Sequence, residues 1–163
     1  MLGLTMPMNG TSRRAFSLIE LVIVVVIIGI IGAIALPRMS RGAAGAADSS
    51  LVADLAVMRN AIDLYQAEHG GAYPSFADFV EQMTTYTDVN GTASATKDTT
   101  HFLGPYLRSI PELKVGANKG QNGLVATQGG SSAGWVYDAA TGSISANLPD
   151  SEVDARGVKY NSY

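Results

Sequence analysis

The stretch Leu21–Leu36 reads LVIVVVIIGIIGAIAL and holds no polar side chain. A run of this kind is too apolar for a soluble surface and demands a core, an assembly or hydrocarbon around it. At about 1.5 Å per helical residue it reaches roughly 24 Å, short of a hydrocarbon core of roughly 30 Å, whereas a helix starting at Phe16 reaches roughly 31 Å. A full span therefore takes in Glu20. Residues Met1 to Ala15 carry Arg13 and Arg14 and no acid, which predicts an N-terminus on the cytoplasmic side, with Arg38 and Arg41 marking the far interface.

Beyond the run the apolar period changes. Leu51, Leu55, Met58, Ile62 and Tyr65 recur by four, three, four and three, one face of an amphipathic helix. Pro37 would kink a helix and Gly42 and Gly45 would soften it, but the alanines around them favour continuation, so one long helix is expected from about Phe16 to His69. Gly70 and Gly71 supply its stop, and Pro74 follows. Ser75, with Asp78 three residues on, predicts the cap of a second helix running to about Thr85.

Thr87–Thr100 is rich in Thr, Asn, Gly, Ser and Asp and reads as a loop. Strands are expected at Leu113–Ala117, Leu124–Thr127, Gly134–Tyr137 and Ser143–Asn147. The hairpin joining Trp135–Tyr137 to Ile144 is the clearest. Leu148–Tyr163 receives no element. The fold class is therefore α+β: a long N-terminal helix, half membrane-spanning and half amphipathic, packed on a small antiparallel sheet. Trp135, Tyr137 and Tyr73 are expected in its core rather than in a recognition patch.

The chemistry on offer is limited. Zero cysteines exclude disulfides, thiolate zinc sites and cysteine nucleophiles. Two histidines exclude a multi-histidine metal centre. His69 reads as a helix C-terminal dipole partner, and His101 has no acid or serine at a telling spacing. A net charge of −3 argues against nucleic acid as the main partner. No serine sits in Gly-x-Ser-x-Gly and no phosphate-binding glycine loop occurs, so no enzymatic activity is expected. Asp150, Glu152 and Asp154 form either a solvated acidic loop or a weak calcium site, with Asp150 and Asp154 as ligands.

The segment Ala15-Phe16-Ser17-Leu18-Ile19-Glu20-Leu21-Val22 resembles the processing and methylation signal of type IV pilins and type II secretion pseudopilins. It departs at Ala15, where the family usually has glycine. The resemblance implies prepilin peptidase cleavage between Ala15 and Phe16, N-methylation of Phe16, and assembly through Phe16 and Glu20. An ionised carboxylate in hydrocarbon costs on the order of 2.5 kcal/mol or more, and cleavage would expose an amine at Phe16 to meet it, in the same subunit or a neighbour. Gly29, Gly32 and Ala33 form a smooth strip on which other helices could pack, or merely loosen the helix. Pro37 coincides with a proline common in the family's membrane helix.

Arg59–Tyr65 followed by His69-Gly70-Gly71-Ala72-Tyr73-Pro74, then Gly104-Pro105-Tyr106-Leu107 and Gly134–Asp138, look like parts of major pseudopilins, which carry a calcium site near the C-terminus. The implied organisation is a leader at 1–15, a transmembrane half-helix at 16–36, an extracytoplasmic half-helix at 37–69 and an α+β head at 70–163. Its implied function is that of a structural subunit of a type II secretion pseudopilus that helps drive protein export. The implied partners are a homo-oligomeric filament, prepilin peptidase, an inner-membrane assembly platform and other pseudopilins. The implied location is the inner membrane, single-pass, with the head outside and later in the periplasmic pseudopilus. A pilin of an adhesion or motility filament is the near alternative, and the lack of a C-terminal cysteine pair leans towards pseudopilin. Ser12-Arg13-Arg14-Ala15-Phe16 also fits a twin-arginine signal, with Ala33-Ile34-Ala35 as its cleavage pattern, which would release a soluble binding domain. Against that stand Glu20 in the apolar segment and the helical pattern continuing past Ala35. A plain uncleaved anchor is the third reading.

Overall fold

A computed structural model describes residues 16–163 apart from residue 131, with the side chains of residues 35–41 also outside the description. The chain divides into two compact units, Met1–Arg41 and Gly42–Tyr163. Helix α1, Leu18–Glu68, runs through both, so the helical backbone continues past Pro37 as the alanine-rich segment predicts. The expected leader and the cleavage residue Ala15 lie outside the described residues.

The end of α1 follows from its glycines. Gly70 and Gly71 adopt φ of 65° and 94°, and the Gly71 amide donates to the Gln66 carbonyl at 2.8 Å. This is the six-to-one bond of a Schellman stop, which satisfies a carbonyl that the helix leaves open. Helix α2, Phe79–Thr84, is shorter than the sequence predicts. The Ser75–Asp78 pair forms as expected, Ser75 Oγ donating to Asp78 Oδ2 at 2.9 Å and accepting the Asp78 amide at 3.0 Å. It closes a turn ahead of the helix rather than its first turn.

Two short strands, β1 (Tyr86–Thr87) and β2 (Ala93–Ser94), pair antiparallel in a stretch whose composition predicts only loop. The cause is polar: Asp88 Oδ1 accepts the amides of Asn90 at 2.9 Å and Thr92 at 2.8 Å, closing the turn without apolar help. The main sheet runs β3 (Leu124–Val125), β4 (Trp135–Asp138), β5 (Ser143–Ala146). The β4–β5 pair is the expected hairpin, with Tyr137 opposite Ile144. The β3–β4 pair is parallel, Leu124 opposite Trp135, so the sheet is mixed where an antiparallel one is expected.

Leu113–Ala117 is not a strand. The Leu113 amide donates to Gln121 and its carbonyl accepts from Gly120, while Gly116 and Gly120 take positive φ. The alternation of Leu113 and Val115 reflects burial of both on a backbone that closes on itself instead of on a neighbour. The tail ends in a 3₁₀ turn, η1, Tyr160–Ser162.

One core unites the second unit. Leu51, Leu55, Met58, Ile62 and Tyr65 of α1 are buried with Phe79 and Met83 of α2 and with Leu113, Trp135, Tyr137, Ile144 and Leu148. Each fully buried aliphatic contributes on the order of 2 kcal/mol. Trp135 Nε1 donates to the Pro111 carbonyl and Tyr137 Oη to the Pro74 carbonyl, both at 2.8 Å, so both aromatics are fold residues with their polar tips satisfied.

Candidate functional site

The first described residues carry the features that the sequence singles out. Phe16 is 77% exposed and precedes α1, whose first turn is tied by the Leu21 amide to the Ser17 carbonyl at 3.2 Å. Glu20 lies in that first turn, where a negative side chain faces the positive end of the helix dipole, an interaction of about 0.3–1 kcal/mol at a surface. Every large apolar side chain from Leu18 to Ile34 is exposed. Within the described chain, a Cβ added at Gly29 or Gly32 would meet nothing within 4 Å, and Ala33 beside them is exposed. The side chain of Pro37 lies outside the described residues.

An apolar helix face exposed all round needs an apolar environment. Among the described residues, no helix is long and apolar enough to cross a membrane. The described side chains of the apolar segment end at Ile34, about 24 Å from Leu18 at the helical rise.

Residues 10–36 match the family model of the prokaryotic N-terminal methylation motif. The chain carries that motif. The match supports a type IV pilin-like subunit that is processed by prepilin peptidase. No curated protein and no solved structure matches the chain.

The three acids of the tail do not converge. Asp150 receives Lys159 Nζ at 2.5 Å and Asn161 Nδ2 at 2.8 Å. Glu152 accepts the Ala117 amide at 3.0 Å. Asp154, its side chain 1% exposed, accepts the Tyr163 hydroxyl at 2.5 Å, Arg156 Nε at 2.9 Å and the amides of Arg156 and Val158 at 2.8 Å. The Tyr163 hydroxyl foremost, with these amides and the guanidinium, holds the Asp154 carboxyl well below the usual carboxylate range. Lys159 and Asn161 lower that of Asp150. Among the described residues, no three or more His, Cys, Asp or Glu side chains gather as metal ligands.

Both histidines have partners that spacing alone does not reveal. His69 is buried, its Nδ1 2.8 Å from the Tyr65 carbonyl and its Nε2 3.1 Å from Thr87 Oγ1. Its ring stacks on Tyr65 at 3.7 Å between centroids, so it does more than face the end of a helix. His101 pairs with Asp98 at 3.0 Å, an acid three residues earlier that corrects the expectation of no acid at a telling spacing. A further cluster draws the tail to α1: Arg59 Nη2 donates to the Ile144 carbonyl at 2.9 Å and the Tyr163 carbonyl at 2.5 Å, and Tyr160 Oη donates to Asp48 Oδ1 at 2.8 Å. The sequence separations, 85 to 112 residues, hide this cluster from local reading.

Proposed function

We propose that the chain is a structural, non-catalytic subunit of a type II secretion pseudopilus, of the major kind, cleaved between Ala15 and Phe16 and methylated on Phe16. The observation that carries this reading is the methylation motif at residues 10–36 leading into a helix whose apolar side chains are all exposed from Leu18 to Ile34. Such a surface is covered first by hydrocarbon, as a single-pass anchor with the head outside, and then by the same helix of neighbouring subunits. The assembly platform and other pseudopilins would be the partners. Loss of the leader takes the side-chain charge from −3 to −5, since Arg13 and Arg14 leave with no acid. Asp150 and Asp154 serve as fasteners of the tail in this reading, and a calcium ion would have to displace their present partners.

Mass spectrometry of the mature N-terminus tests the processing. A chain beginning at N-methylated Phe16 is expected. A chain beginning at Leu36 would establish an export signal, and an intact Met1 an uncleaved anchor. Deleting the gene and measuring export against surface piliation then separates a pseudopilus from a pilus of adhesion or motility.

A further inference from the structure

We propose that Asn90 is an N-glycosylation acceptor, taking an oligosaccharide from a polyprenyl-pyrophosphate donor on the outer side of the membrane. The segment Asp88-Val89-Asn90-Gly91-Thr92 contains the Asn-x-Thr acceptor pattern with no proline at its centre, and an acid stands two residues ahead as a charged handle for a transferase. The inference rests on the proposed location of the head outside the cytoplasm.

The fold places this segment where a glycan can be carried. Val89 and Asn90 are exposed at the turn between β1 and β2, while Gly91 beside them is buried. The Gly91 carbonyl accepts Gln82 Nε2 at 2.8 Å, and a Cβ at Gly91, whose φ is 83°, would press against the Tyr65 hydroxyl. The turn is thus anchored from below at Gly91 and open to solvent at Asn90. None of the hydrogen bonds that close it, among the described residues, uses the Asn90 side-chain amide.

In the transfer, Asn90 Nδ2 attacks C1 of the donor's first sugar. The C1–N bond forms, the C1–O bond to pyrophosphate breaks, and the polyprenyl pyrophosphate leaves with the electron pair. A base of the transferase takes one amide proton. In the folded head Asp88 holds the amides of Asn90 and Thr92, and the Asp88 amide donates to the Thr92 carbonyl at 3.0 Å. A second sequon, Asn9-Gly10-Thr11, has Pro7 in place of the acid and falls in the leader, which makes it an internal control.

The test has two arms. Full-length chain is synthesised in a cell-free reaction with a purified bacterial oligosaccharyltransferase and its lipid-linked oligosaccharide, so that membrane sidedness plays no part. Wild type should gain the mass of one glycan, Asn90→Gln and Thr92→Ala should gain none, and Thr92→Ser should retain it. Unmodified wild type beside a modified control glycoprotein would overturn the proposal, as would a glycan on Asn9 alone. In the second arm the full chain is produced in cells carrying the same transferase and donor. The same glycan on Asn90 supports both the site and the location of the head. Modification in the cell-free arm alone would leave the acceptor site established and overturn the extracytoplasmic head.

Discussion

Burying Glu20 as an anion in hydrocarbon costs on the order of 2.5 kcal/mol or more, and in the described chain this acid lies in the first turn of α1 with Phe16 just ahead of it. Replacing it removes that cost, together with the contact to the Phe16 amine that the proposed cleavage would create. Glu20→Ala is therefore expected to insert at wild-type abundance and to be cleaved, yet to enter filaments poorly. Filament yield at matched membrane levels checks this, and wild-type yield would remove Glu20 from assembly. In the head the telling residues are carboxylates with lowered pKa: Asp98, held at about 2 chiefly by the His101 amide, together with Asp88, Asp138, Asp150 and Asp154. Their folded values lie below the unfolded value of 3.8, so the stability they add is present above about pH 4 and is lost as pH falls through the folded values. Melting temperature should hold between roughly pH 7 and 5 and drop below about pH 4. Asp154→Asn should show a shallower drop, which a melting series against pH reads directly. Millimolar calcium should leave the melting temperature unchanged, because Lys159, Arg156 and Tyr163 already occupy the acids. A rise that Asp150→Ala with Asp154→Ala abolishes would instead make them ligands.

At the scale of elements, strand β5 is an edge of the main sheet, and its Ile144 and Ala146 are buried. Arg59 reaches across from α1 to the Ile144 carbonyl, capping a group that an edge strand would otherwise leave open to another chain. Arg59→Met keeps much of the apolar stem and removes both hydrogen bonds, so a loss of about 1–3 kcal/mol in chemical denaturation is expected, with a greater tendency to aggregate. The elements that were legible before the structure are those specified locally. The stripe from Leu51 to Tyr65, the glycine stop of α1 and the Trp135–Ile144 hairpin each follow from spacing or turn chemistry and all appear. The strands β1 and β2 were not legible, because a two-residue pair held by the Asp88 carboxylate has no apolar alternation to read. Leu113–Val115 misled for the opposite reason: its alternation is real, but Gly116 and Gly120 turn the chain before a partner strand can form. The motif around Phe16 and Glu20 was legible as a local signature, whereas Arg59, Tyr160 and Asp154 acquire partners only through tertiary folding.

At the scale of the whole molecule, the chain divides into the units Met1–Arg41 and Gly42–Tyr163. Among the described residues, the second unit contains every residue of the buried core, so it should fold without the first. Where it is cut decides how stable it is. The sequence stripe begins at Leu51, which makes Ser49 a natural starting point, but Asp48 accepts the Tyr160 hydroxyl at 2.8 Å and lies 3.5 Å from the Ala155 amide, and Ala47 packs against the core. A fragment from Ser49 also exposes helix amides that the preceding turn would otherwise occupy. A fragment from Gly42 retains all of these contacts. Both fragments are expected to be soluble, with the Gly42 fragment more stable by about 1–2 kcal/mol, the scale of a lost side-chain hydrogen bond with its packing. Urea denaturation of the two, with Asp48→Ala in the longer fragment as a third sample, measures the difference. If Asp48→Ala brings the longer fragment down to the shorter one, the tail's grip on α1 accounts for the gap. Equal stability of all three would show that the tail adds nothing through Asp48, and an unfolded Gly42 fragment would show that the head depends on the apolar half of its own helix.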